Sequence, residues 1–170
     1  ISGNDFTNTK SGVQIYSADG FSLTAPGQTG PNLNTWGNHS SVVFQYHNSR
    51  NIVIDNWDFP SLYTDPTNRT ALIVSGMSNS TFTNNNFSGG FRHGLQFGSN
   101  NTNNTVDSNN LSGTTGWALY WYRGSNNGNI ITNNNLKDAN YGIYYDYGTP
   151  AKISGNDFTN TKSGVQIYSA

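Results

Sequence analysis

Seven short stretches of the chain alternate apolar and polar residues with a period of two. They are SGVQIYS (11–17), SVVFQYH (41–47), TALIVSG (70–76), HGLQFGS (93–99), GWALYWY (116–122), YGIYYDY (141–147) and SGVQIYS (163–169). That alternation is the mark of a strand with one buried face. Aligned on one another, five of them predict two inward columns. The first is Leu72, Leu95, Trp117, Ile143 and Val165; the second is Val74, Phe97, Leu119, Tyr145 and Ile167. Ile73, Gln96, Ala118, Tyr144 and Gln166 lie between them and are predicted to point outward.

A second motif recurs between these stretches: ISGNDF (1–6), IDNWDF (54–59), FTNNNF (82–87), VDSNNL (106–111), ITNNNL (131–136) and ISGNDF (153–158). Each runs from an apolar residue to a Phe or Leu five places on. From Phe59 onward the closing residue advances by 28, 24, 25 and 22 positions. Two short strands per unit of this length predict an all-β parallel β-helix, with each unit forming one coil. Antiparallel hairpins, in a sandwich or meander, would not keep column identity at this spacing. Parallel crossovers are right-handed, so the coil is predicted to be right-handed. The residue two before each closing Phe or Leu is Asn4, Trp57, Asn85, Asn109, Asn134 or Asn156. The five asparagines are predicted to stack as a corner ladder, amide on amide, and to accept the left-handed backbone of the corner.

The last eighteen residues, 153–170, repeat the first eighteen letter for letter, which sets a period of 152 residues. Residues 1–152 then form one period of about six coils, and 153–170 begin the next copy. Residues 1–170 read as one β-helix domain, with an irregular, loop-rich insertion over 19–40. At a strand spacing of about 4.8 Å, one period advances roughly 29 Å. A tandem array, head-to-tail stacked copies and a deliberate duplication all account for the repeat.

Composition narrows the picture. Only 10% of residues are charged and the net charge is −1, which excludes the basic face that a nucleic-acid partner needs. All nine acids are Asp, and 28 Asn with 19 Gly supply turns rather than helices. The 14% aromatic content argues against disorder. With no Cys there is neither disulfide nor thiolate chemistry. No apolar run approaches the roughly 20 residues of a membrane span. No signal-like segment is visible, and a chain that begins with Ile reads as a fragment or a mature segment.

The units TFTNNNFSGGFRHGLQFGSNN, TVDSNNLSGTTGWALYWYRGSNN and IITNNNLKDANYGIYYDYGT resemble the repeats of the right-handed parallel β-helix superfamily. The resemblance covers most of the chain outside 19–40. It implies the fold. That superfamily includes polysaccharide lyases, glycoside hydrolases, epimerases, tailspikes, adhesins and structural stalks, so the resemblance does not assign a function.

Three sets of residues are candidates for chemistry. Glycosylation sequons stand at Asn38, Asn68, Asn79, Asn86, Asn100, Asn103 and Asn110, a number that the Asn, Ser and Thr content produces by chance. Asn86 and Asn110 hold the same place in consecutive coils, where an outward side chain is expected. An aromatic cluster is expected to present Tyr120 outward, with Asp146 beside it and Tyr168 beyond, and Tyr144 in another column. Such rings can stack on sugars or on a neighbouring rod, or simply brace the sheet. The outer columns also carry Asp55, Asp107, Asp146, Arg92, His93 and Arg123. Asp55 and Asp107 share a column with Thr83 between them, ~10 Å apart, whereas the carboxylates of an inverting glycosidase sit ~6.5–9.5 Å apart. His39, His47 and His93 lack metal-ligand spacing. The expected function is therefore a non-enzymatic structural repeat of an extracellular fibre or stalk, with itself and glycan as partners and without a cofactor. The alternative is a carbohydrate-binding or carbohydrate-cleaving β-helix.

Overall fold

The computed structural model describes residues 11–20, 22–24, 42–57, 70–88 and 90–169. Asn4, Asn38, Asn68 and most of the 19–40 stretch lie outside them. In chain order the strands are β1 (Ser11–Tyr16), β2 (Ser22–Thr24), β3 (Val42–His47), β4 (Val53–Asp55), β5 (Thr70–Ser75), β6 (Thr81–Thr83) and β7 (His93–Phe97). They continue as β8 (Thr105–Asp107), β9 (Trp117–Trp121), β10 (Ile130–Thr132), β11 (Tyr141–Asp146), β12 (Lys152–Ser154) and β13 (Val165–Tyr168). Odd-numbered strands form a seven-stranded sheet and even-numbered strands a six-stranded sheet, and every pairing is parallel. The chain thus winds as a parallel β-solenoid. About four coils, from Thr70 to Ser154, are described almost without a break, against the six expected per period. The strand Ser22–Thr24 falls inside the stretch expected to be loop-rich.

The core lies between the two sheets and stacks like residue on like. Leu72, Leu95, Leu119 and Ile143 form one inward column, and Val74, Phe97, Trp121 and Tyr145 the next. The short sheet contributes Ile54, Phe82, Val106 and Ile131. Phe97 and Trp121 stack nearly coplanar at 4.1 Å, and Trp121 meets the Tyr145 ring at 5.2 Å.

These columns correct the predicted alignment by two residues in one coil. Leu119, not Trp117, lies between Leu95 and Ile143, and Ala118 is buried rather than outward. The cause is a step in the ladder. Pairing passes from Thr70–His93 to Leu72–Leu95, and from Tyr141–Trp117 to Ile143–Leu119. It steps over Ala71, Gly94, Ala118 and Gly142, all buried. As at a bulge, skipping one residue reverses which face the next one takes. The skipped positions must be small. A Cβ on Gly94 would run into Leu111 and the Ala118 carbonyl, and one on Gly142 into Phe158 and the Gly164 carbonyl.

The corners hold the asparagines. Asn85 Nδ2 donates to Asn109 Oδ1 at 2.9 Å, Asn109 Nδ2 to Asn134 Oδ1 at 3.0 Å, and Asn134 Nδ2 to Asn156 Oδ1 at 2.9 Å. Trp57 heads the ladder by donating its backbone N–H to Asn85 Oδ1. The left-handed backbone, however, falls on the residue before each ladder position. Asn56, Asn84, Ser108 and Asn133 have φ of 55–57°, and Gly155 has 67°. The corner therefore divides the labour: one short residue takes the positive φ, and the next turns its amide inward.

Two further buried ladders were not anticipated. Asn101 bonds to Asn126, and Asn104 to Asn129. Tyr145 ties them together from the core, its hydroxyl donating to the Asn126 carbonyl and accepting from Asn129 Nδ2. Burial pushes the Tyr145 phenol up to about 12. The signal was present in sequence as Asn pairs three apart, 101/104 and 126/129, recurring 25 residues later.

Candidate functional site

The outer face of the seven-stranded sheet carries a continuous plate of rings. Its cause is local: with one residue skipped, the first and fourth positions of β7, β9 and β11 both lie on the outer side, half-buried. His93, Trp117 and Tyr141 occupy the first position; Gln96, Tyr120 and Tyr144 occupy the fourth, and Gln166 of β13 pairs with Tyr144 to continue that column. Trp117 stacks on Tyr141 at 4.7 Å and meets Tyr144 at 5.2 Å. Tyr120 stacks on His93 at 4.9 Å and on Tyr122 at 5.0 Å, and lies 5.1 Å from Tyr144. Tyr144 continues to Tyr168 at 5.3 Å.

This arrangement differs from the predicted one. Tyr120 pairs with Tyr144, so the two share one column; Asp146 pairs instead with Tyr168. Trp117, Tyr122 and Tyr141 also join the face beside His93, which the sequence already placed in an outer column; Trp117 was missed because it was read as inward.

Polar groups line the rim. Gln96 Nε2 donates to the Tyr122 hydroxyl at 3.2 Å, Tyr168 OH donates to Gln166 Oε1 at 3.2 Å, and Tyr144 OH reaches Asp146 Oδ2 at 3.4 Å. The Arg123 guanidinium sits 5.7 Å from the Tyr122 ring centre. Desolvation raises the Tyr120 and Tyr144 phenols, with help from Tyr122 at the first and Asp146 at the second. Both stay neutral donors at ordinary pH. His93 is pushed down to about 4 by burial, with repulsion from Arg92 adding to it. Its Nδ1 accepts the Trp117 backbone N–H at 3.1 Å. A neutral imidazole therefore replaces a carbonyl as the strand acceptor at this point.

The acid column is built differently. Asp55, Thr83, Asp107 and Thr132 follow one another along the short sheet. Thr83 Oγ1 donates to Asp55 at 2.6 Å, and Thr132 Oγ1 donates to Asp107. Partial burial pushes Asp107 up, but hydrogen bonds from Thr132, Ser108 and Asn133 outweigh it and hold the carboxyl below the usual carboxylate range. Each acid thus accepts a hydrogen bond from a threonine hydroxyl of the next coil, and a threonine separates the two. Among the described residues no group of three His, Cys, Asp or Glu gathers at a metal-binding spacing. Among them, too, no helix is long and apolar enough to cross a membrane.

The sequons separate into two kinds. Asn79, Asn100 and Asn103 are exposed, with left-handed φ of 49°, 61° and 55°. Asn86 and Asn110 are half-buried. They form an outer ladder in which Asn110 Nδ2 donates to Asn86 Oδ1 and Asn135 Nδ2 to Asn110 Oδ1. The nitrogen that a glycan would take is engaged at Asn110.

Compared with known families, the chain matches the family model for right-handed β-helix regions over residues 1–170. The chain belongs to the right-handed β-helix family. No curated protein and no solved structure matches it. The family includes enzymes and non-enzymes, so membership establishes a solenoid domain and leaves its activity to the reading of its surfaces.

Proposed function

We propose that this β-helix is a structural repeat unit of an extracellular rod or stalk, and that it is not an enzyme. One observation carries the reading: eleven parallel strand pairs run in register, and the closing coil carries the letters of the opening one. A lone coil cannot bury its strands, so stability in such a stack accumulates with length. The low charge and the Asn, Ser and Thr surface suit a solvated shaft. Among the described residues, Asn79, Asn100 and Asn103 are the sequons best placed to carry glycan. The acids support the non-enzymatic reading, because each is tied to a threonine. Negative-stain microscopy of the native full-length material is expected to show uniform rods outside the cell, without polysaccharide cleavage. Compact particles that cleave a polysaccharide would overturn it.

The ring plate favours a second reading, a surface that binds neutral carbohydrate. Flat aromatic faces rimmed by Gln, Asp and Arg offer both stacking area and hydrogen bonds to a sugar ring. Calorimetric titration with cello-, malto- and chito-oligosaccharides is expected to find at least one ligand, with Tyr120→Ala weakening it about tenfold. Binding to none of the three, or equal binding by the variant, removes this reading.

A further inference from the structure

How one copy meets the next follows from the two edges of the seven-stranded sheet, an inference that rests on the rod reading. β1 and β13 carry the same letters at opposite edges and run in the same direction. Their following corners have the same backbone, with φ of 54° at Ser17 and 53° at Ser169. The partner of β1 is already inside the molecule. β3 pairs with it through Val13–Phe44, Gln14–Gln45, Ile15–Tyr46 and Tyr16–His47. Tyr16 stacks on His47 at 5.0 Å, and the Ser17 N–H donates to the His47 carbonyl at 2.9 Å. β13 shows the opposite situation. Val165, Ile167 and Tyr168 are 40%, 46% and 49% exposed, although Ile143 and Tyr145, one coil earlier in the same columns, are fully buried.

We propose that the β13 edge receives β3 of a following repeat that begins at Asp19 and so lacks a β1 of its own, in the register that β1 uses. Residues 153–170 then serve as the first coil of the following copy. Val165 lies beside its Phe44, Gln166 beside its Gln45, Ile167 beside its Tyr46 and Tyr168 beside its His47. Residues 19–170 make up one full period of 152, so each added copy extends the ladder without a seam. An open strand edge pairs with any suitable strand; identity with β1 selects this one. The junction is head-to-tail and does not close on itself, so successive 19–170 repeats lengthen one rod.

The test keeps the whole chain and appends residues 19–170 once, Ala170 of the first copy running into Asp19 of the second. The protein has no Cys, so engineered pairs are unambiguous. Gln166→Cys in the first copy is combined with Gln45→Cys in the second. Gln14→Cys with Gln45→Cys, both in the first copy, is the reference pair. The junction disulfide is expected to form as fully as the reference, and amide exchange over Gln166–Tyr168 to slow at least ~10-fold relative to the single copy. A reference disulfide without the junction disulfide, or unchanged exchange at β13, overturns the proposal. A beaded particle of two separate units would sink the junction and leave the structural role standing. Native material that forms no rods would sink the role itself.

Discussion

Asn109→Asp is expected to destabilise the solenoid by about 3–5 kcal/mol. The Asn109 side chain is 1% exposed and uses all four of its hydrogen-bonding positions. Its Oδ1 accepts from the Asn85 N–H and Asn85 Nδ2, at 3.0 and 2.9 Å. Its Nδ2 donates to the Phe82 carbonyl and to Asn134 Oδ1, at 2.8 and 3.0 Å. Aspartate has the same shape and none of the donors. Its second oxygen would face two acceptors, so the carboxyl either stays charged in a buried, repulsive place or takes a proton and satisfies one of the two. The folded-state pKa of the introduced carboxyl is therefore raised, and part of the loss is expected to return as the pH falls. In thermal unfolding the effect corresponds to a drop of roughly 10 °C for a chain of this length. Asn103→Asp is the control: it is exposed, and Asp tolerates its left-handed φ, so a change within about 0.5 kcal/mol is expected. Equal melting of the two variants would remove the ladder as a source of stability.

Acid is expected to weaken the fold through His93 before the carboxylates respond. Desolvation, with Arg92 beside the ring, lowers His93 from 6.5 to about 4, and the ring is packed against Tyr120 with Nδ1 occupied by the Trp117 N–H. The native state therefore prefers the neutral ring, and the unfolded state takes up a proton first. The contribution of His93 is complete above pH 6.5, is lost as the pH falls from 6.5 to 4, and is constant below that. A shift of this size corresponds to at most ~3 kcal/mol, and solvent at the outer edge of the ring reduces this to ~1–2 kcal/mol. Asp19, Asp107 and Asp157 have lowered pKa values, so their contributions fall away below the ordinary carboxylate value of 3.8 and leave the 4–6.5 window to histidine. His93→Asn offers an acceptor that does not titrate. Urea unfolding at pH 7 and pH 4.5 is expected to show a smaller difference for this variant than for the parent. An identical difference in both would place the acid sensitivity elsewhere.

Much of the architecture was legible because a solenoid is close to a one-dimensional object. Each coil contacts only its neighbours, so column composition repeats along the chain at the coil spacing. The alternation in 93–99 and 141–147, and the Asn before each closing Phe or Leu, place the two sheets and one corner without tertiary information. The ring face was legible only in part. Tyr120, Tyr144 and Tyr168 were assigned outward, but Trp117 was read as core because its parity matches Leu95. Parity counts residues along the strand, whereas the face depends on whether the ladder pairs or skips each one. The skipped column stays small because Leu111 packs where a Cβ on Gly94 would lie and Phe158 where one on Gly142 would lie.

The sequence by itself determined the parallel coil and the asparagine spine, since each is a repeating pattern of side-chain polarity, and the 152-residue spacing of its two identical segments. Tertiary structure decided the rest. It fixed which of two neighbouring corner residues takes the positive φ, which sequon nitrogens are engaged in a ladder, and which rings merge into one surface. These are contacts between coils about 25 residues apart. They depend on how closely one backbone approaches the next, which the order of residues within a single coil does not express.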